Sequence, residues 1–173
     1  GNLTITGDSL SLSSSNLDTT GTLTLQPYSN SFSSAFSWSG MTLGSGITGL
    51  TIGKATNTQD ITFGSAASIA GPITIYGGAV TLNASLTTTN ATTGDVNITT
   101  SGLTGSGGIG LATGRALSVT QSGTSVYAGL VSGTNATLTK LGAGTLDMTN
   151  ASSSYTGGTT LSAGTLGIYA NSA

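Results

Sequence analysis

Cysteine, histidine and glutamate are all missing from this chain of 173 residues, and cations number three: Lys54, Arg115 and Lys140. The lack of cysteine removes disulfides, thiolate metal sites and cysteine nucleophiles together. Three scattered cations form no basic patch, which argues against nucleic-acid binding and against docking on an anionic membrane. No apolar run approaches the roughly 20 residues of a membrane span. The start, Gly1-Asn2-Leu3, lacks the charged region and apolar block of a leader, so the chain reads as a mature piece or a section of something longer. Charged residues make up 5% of the whole, against about a quarter in an average domain. Only two prolines occur, and no apolar 3.6-residue periodicity lasts ten residues, so helix is not expected.

Serine, threonine and glycine supply about half of the positions, so the polar surface consists of hydroxyls and amides, not ions. Hydrophobic residues, 36% of the chain, are spread along it, and the signature of disorder is absent. They recur in an apolar-polar-apolar word: Leu3-Thr4-Ile5, Leu23-Thr24-Leu25, Leu50-Thr51-Ile52, Ile61-Thr62-Phe63, Ile73-Thr74-Ile75, Val80-Thr81-Leu82, Val96-Asn97-Ile98, Leu117-Ser118-Val119, Leu146-Asp147-Met148 and Leu166-Gly167-Ile168. Such alternation sends two side chains to one face of a strand and the middle one to the other. Glycine often stands just before a word, and Gly, Asn or Ser fills the gaps, as turns require.

Strong words recur about twenty residues apart, from 1 to 21, from 94 to 114 and from 144 to 164. Short strands repeating at that period predict an all-β parallel β-helix, or β-solenoid, with coils of about 20 residues. Its coils would stack about 4.8 Å apart, giving roughly eight coils and a rod on the order of 40 Å long. Inward Leu, Ile and Val would form apolar ladders, and outward Thr, Ser and Asn hydroxyl and amide ladders on a flat face. The competing architecture is a β-sandwich or barrel, also built of short alternating strands. The repeat length and the recurring Gly-Thr-Leu words favour the solenoid.

The stretch Leu138-Thr139-Lys140-Leu141-Gly142-Ala143-Gly144-Thr145-Leu146, followed by Tyr155-Thr156-Gly157-Gly158-Thr159-Thr160 and Ala163-Gly164-Thr165-Leu166, resembles the autotransporter-associated β-strand repeat of bacterial autotransporter passengers. Residues 23–29, 49–75 and 79–90 resemble filamentous-haemagglutinin-like exoproteins of two-partner secretion. Both resemblances imply a right-handed parallel β-helix, exported by a Gram-negative bacterium and displayed or released as an adhesin, filament or matrix component. In autotransporters the repeat is associated with efficient export and folding, not with a catalytic site. On this reading residues 1–173 are one β-helical segment of a longer secreted protein, with an irregular aromatic-rich segment at 26–39 and the autotransporter-type repeat at 138–173.

No catalytic, cofactor-binding or metal-ligating set emerges. The acids are Asp8, Asp18, Asp60, Asp95 and Asp147, and no two share a local motif such as a glycosidase pair would need. A lyase would want a base near acidic ligands, and Arg115 has no acid near it in sequence. Asp does not recur in register as in calcium-binding solenoids. Gly107-Gly108-Ile109-Gly110 and Gly157-Gly158 lack the continuation of a phosphate loop and read as turns. The 26–39 segment holds Tyr28, Phe32, Phe36 and Trp38, candidate ligand contacts if exposed. Phe36 and Trp38, two residues apart, equally fit the core face of one more strand. Six Asn-x-Ser/Thr sequons, at Asn2, Asn83, Asn90, Asn97, Asn135 and Asn150, slightly exceed chance for this composition.

The expectation is therefore a structural and adhesive module without catalysis. Its expected partners are a larger parent chain or end-to-end copies of itself, because uncapped coils leave strand edges unpaired, and a host or bacterial surface glycan or protein. The alternatives are a polysaccharide-degrading β-helix enzyme and a glycan-binding module using residues 26–39.

Overall fold

The structure, a computed structural model, describes residues 1–169, so the last four residues of the 138–173 segment lie outside it. Among the described residues there is no helix, and every regular element is a short strand paired in parallel with strands of neighbouring coils. An isolated strand of the Leu-Thr-Ile type has nothing against which to bury its apolar side, and stacking like strands supplies that cover.

The strands form the three sides of a solenoid of about eight turns, roughly 21 residues per turn. The first side is an eight-stranded sheet that takes one strand from every coil: Leu3–Thr6, Thr22–Gln26, Gly49–Ile52, Ile73–Tyr76, Val96–Thr100, Ala116–Gln121, Thr137–Leu141 and Thr159–Leu161. The second runs through Phe36–Trp38, Ile61–Phe63, Ala79–Leu82 and Gly102–Thr104. A single bridge, Gly105 to Tyr127, carries it on to Thr124–Tyr127, Thr145–Met148 and Thr165–Ile168. The third contains the pair Asn16–Leu17 and Thr42–Leu43, then Ala67–Ile69, Leu86–Thr88, Ile109–Gly110, Val131–Gly133 and Ser154–Tyr155.

Register on the first side is unbroken. Leu3 pairs with Leu23, then Leu50, Ile73, Val96, Leu117, Leu138 and Thr159, in steps of 20, 27, 23, 23, 21, 21 and 21 residues. Two residues along, Ile5, Leu25, Ile52, Ile75, Ile98 and Val119 make a parallel ladder. The positions between face outward and read Thr4, Thr24, Thr51, Thr74, Asn97, Ser118, Thr139 and Thr160. Thus the alternation seen in the sequence becomes an apolar interior and a hydroxyl exterior. On the second side the Gly-Thr-Leu words pair in the expected register, Thr145 with Thr165 and Leu146 with Leu166.

The core is one continuous cluster from Leu17 to Met148. In the last coil the equivalent side chains lose cover, and Leu161 and Ile168 are each 51% exposed. Removing one rung from the middle of a ladder leaves a cavity that rigid neighbouring coils cannot close. Ile75→Ala is therefore expected to lower unfolding stability by about 2–5 kcal/mol, and Thr74→Ala, one residue earlier on the outward face, to change it by no more than about 0.5 kcal/mol. Urea unfolding followed by circular dichroism checks both, and equal effects would refute the assignment of inward and outward positions.

Candidate functional site

The 27-residue second step is the irregular coil, and its extra length lies in the aromatic segment between Gln26 and Phe36. Of the four candidate contact residues only Tyr28 is at the surface, 80% exposed. Phe32, Phe36 and Trp38 are buried, so an exposed four-ring platform does not form. Phe32 stacks on Phe36 at 5.7 Å between ring centres, and Trp38 on Phe63 of the next coil at 5.6 Å. Phe36 and Trp38 thus take the core face of a strand, and hydrophobic burial outweighs the cost of Trp38 Nε1, which has no hydrogen-bond partner among the described residues.

The loop that presents Tyr28 is tied to the coils on both sides. Asp8 Oδ1, one coil earlier, accepts the Ser29 N–H at 2.7 Å and the Ser29 hydroxyl at 2.9 Å. The Ser29 N–H in particular holds the Asp8 carboxyl below its ordinary pKa. One coil later, Lys54 Nζ donates to the carbonyls of Tyr28 and Ser29 at 3.1 and 3.0 Å, and Thr56 Oγ1 donates to Asn30 O at 2.6 Å. Two of the chain's eight charged side chains are used to fix this one loop.

Three acids act as clasps between coils. Besides Asp8, Asp60 Oδ1 accepts the N–H of Ala79 at 2.7 Å and Asp95 Oδ1 that of Ala116 at 2.9 Å. Asn2 Oδ1 does the same for Thr22 at 3.0 Å. Arg115, isolated from acids in the sequence, stands 3.7 Å from Asp95 because the coils bring positions twenty apart together. Its guanidinium also donates to Thr92 O at 2.7 Å, which makes it a tie between coils. Among the described residues no three acids gather as a metal site.

A feature that sequence reasoning missed is a buried polar column at the corner between the first and second sides. Asn57, Thr100 and Gln121 all point into it. Asn57 Oδ1 accepts the Phe32 N–H at 3.1 Å, and its amide donates to Tyr76 O at 2.8 Å. Thr100 Oγ1 donates to Gly78 O at 2.5 Å and accepts the Gly102 N–H at 3.1 Å. Gln121 Oε1 accepts from Leu103 N and Ser125 Oγ, and its amide donates to Gly123 O and Thr145 O. These side chains satisfy backbone groups that a sharp corner takes out of the sheets.

Lys140 extends the column. It occupies an inward rung, paired with Val119 below and Leu161 above, and is fully buried. Its Nζ donates to Leu141 O at 2.7 Å and Gly142 O at 2.9 Å, closing the corner where Gly142 adopts φ +76°. Burial lowers the pKa of this amine. On the second side, the fully buried Tyr127 donates its hydroxyl to Gly107 O at 2.5 Å, and burial pushes its pKa far above the ordinary 10.0.

Residues 138–168, which include Lys140, match the family model of the passenger-associated-transport-repeat. No curated protein and no solved structure matches the chain. Such repeats belong to autotransporter passenger domains, which are secreted or surface-displayed, and the matched repeat together with the β-solenoid fits an autotransporter passenger β-helix protein.

The buried amine makes a signed prediction. Folding lowers its proton affinity, so the protonated amine opposes folding at neutral pH and this opposition fades as pH rises toward the ordinary lysine value of 10.5. Denaturant midpoints should therefore rise with pH between the lowered value of the folded amine and its ordinary one, until Tyr127 reverses the trend above pH 10.0, where the unfolded phenol ionises and the buried one does not. Lys140→Met should abolish the rise. A variant that keeps the wild-type slope would show that Lys140 is not its source.

Proposed function

We propose that the chain is a structural and adhesive β-helical section of a bacterial surface protein, exported across the outer membrane of a Gram-negative cell and acting without catalysis. The supporting observation is the outward column of the first side. From Thr4 to Thr160 it offers one hydroxyl or amide per coil and no charge. A flat surface of that kind suits repeated polar contacts with a glycan or protein surface. Three of the five acids are engaged elsewhere, Asp8, Asp60 and Asp95 each clasping one coil to the next. The family match at 138–168 favours the autotransporter route over two-partner secretion. The unpaired edges of Leu3–Thr6 and Thr159–Leu161 are where a parent chain would continue or another copy would add.

A second contact is supported by Tyr28, whose ring stands 80% exposed on a loop fixed by Asp8 and Lys54. A rigid aromatic side chain loses little entropy on binding, which suits it as an anchor for a glycan or protein partner. Beads carrying the protein are expected to adhere to host or bacterial cell surfaces, with adhesion reduced but not abolished by Tyr28→Ala. The same protein is expected to leave polysaccharides uncut in a chain-length assay. Cleavage that disappears in any one Asp→Asn variant would establish the enzyme alternative instead, and beads that adhere to no surface would remove the adhesive reading.

A further inference from the structure

Where the first side turns into the second, the outer surface over the buried polar column is an open groove of about 420 Å³. It passes along the rod axis from Asp60 in the third coil to Gly142 and Ala143 in the seventh, a distance of about 19 Å at the inter-strand spacing. The groove exists because small residues hold the corner. A Cβ on Gly78 would strike Thr58 O and the Asp60 carboxylate, and Gly142 has the left-handed φ of +76°. Neither position can carry the side chain that would fill the space.

Hydroxyls stand along the walls, among the methyl groups of threonine and the small corner residues. Thr99 and Thr120 are register partners on one side of the corner, while Ser101 and Ser122 follow the buried Thr100 and Gln121 on the other. All four are exposed, so consecutive coils present the same pair of hydroxyls one strand spacing apart. The lining contains no cation and no aromatic ring, and its one charge is the exposed Asp60. A phosphate or uronate would meet no positive partner here and would be repelled by Asp60. A peptide helix would find no apolar anchor pocket, and an extended peptide no open strand edge, because the flanking strands are already paired. What fits is a ligand with hydroxyls that both donate and accept, without charge, and with a repeat of its own along the axis.

We propose that this groove binds an uncharged, linear oligosaccharide laid along the rod. Its hydroxyls exchange hydrogen bonds with Thr99, Ser101, Thr120 and Ser122, and its ring faces lie over the glycine floor. The Asp60 carboxylate accepts from sugar hydroxyls at one end, through the capacity left beside its bond to Ala79. The inference rests on the adhesive reading above and gives it a ligand class and a place.

Immobilised neutral linear oligosaccharides, with polyuronates as the anionic comparison, provide the test on the full chain. Ser101→Phe and Ser122→Phe fill the groove from exposed positions and should each weaken neutral-sugar binding about tenfold or more, with thermal unfolding unchanged. Asp60→Asn keeps an oxygen for the Ala79 N–H and should weaken binding severalfold, while Tyr28→Ala should leave it intact. Binding that survives both phenylalanine variants, binding lost with Tyr28→Ala alone, or binding confined to polyuronates would each overturn the proposal. Adhesion to cells with no neutral oligosaccharide bound would overturn the groove and leave the adhesive module standing; sugar binding through the groove without cell adhesion would do the reverse.

Discussion

Every part of this molecule depends on one constraint: each coil is covered only by the coils on either side of it. A residue therefore meets, about 4.8 Å away, whatever stands at the same position one coil on. Apolar side chains gain from this arrangement, since Leu23, Leu50, Ile73, Val96, Leu117 and Leu138 bury one another in turn. Like charges would repel at that distance, which accounts for a chain with eight charged residues in 173. Hydroxyls and amides tolerate their own copies, and the Thr81 and Thr104 hydroxyls meet at 3.0 Å.

The same constraint decides where irregularity is tolerated. The sheets cannot absorb extra residues without breaking register, so the 27-residue coil places its surplus in the loop before Phe36 and needs Asp8, Lys54, Thr56 and Asn57 to hold it. At the corner between the first two sides the problem is backbone polarity. Asn57, Thr100, Gln121 and Lys140 answer it with side-chain hydrogen bonds to carbonyls and N–H groups near the turn. Lys140 is the costly member, because an ammonium loses more hydration on burial than an amide does. Its two carbonyl acceptors offset part of that cost and attach the charge to the corner of one coil.

Much of this was legible in the sequence, though unevenly. All ten apolar-polar-apolar words are strands of the first or second side, because both sides place two bulky apolar residues inward around one outward residue. The third side was not visible. Its strands read Ala67-Ser68-Ile69, Leu86-Thr87-Thr88, Ile109-Gly110 and Val131-Ser132-Gly133, with Thr88 taking an inward place that its bond to Gly94 O makes acceptable. The first-side word at Leu138 was masked by Lys140, a charge where the period called for an aliphatic residue. The clasps made by Asp60 and Asp95, and the approach of Arg115 to Asp95, join residues about twenty apart and follow only once the coil register is fixed. At 26–39 the residue types alone could not separate a ring platform from a core strand. The i, i+2 spacing of Phe36 and Trp38 carried the information, and Tyr28 escaped burial because it sits in the surplus loop.

The division of labour between inside and outside is the physical basis of the role proposed above. Reaction chemistry needs unlike groups held at a few ångströms, with at least one of them raised in energy by its surroundings. A solenoid built from like residues in register instead produces columns of identical groups. Its three acid clasps each accept a backbone N–H, and Asp8, whose pKa is displaced, is displaced downward, toward the ionised state that holds a loop and away from the protonated state that an acid catalyst requires. The groups whose pKa burial displaces most clearly, Lys140 and Tyr127, are sealed from solvent and cannot meet a substrate. What the columns do supply is repetition at constant spacing over a rigid surface, and repetition adds weak contacts into useful affinity when the ligand repeats as well. That property is the one the adhesive role proposed above requires.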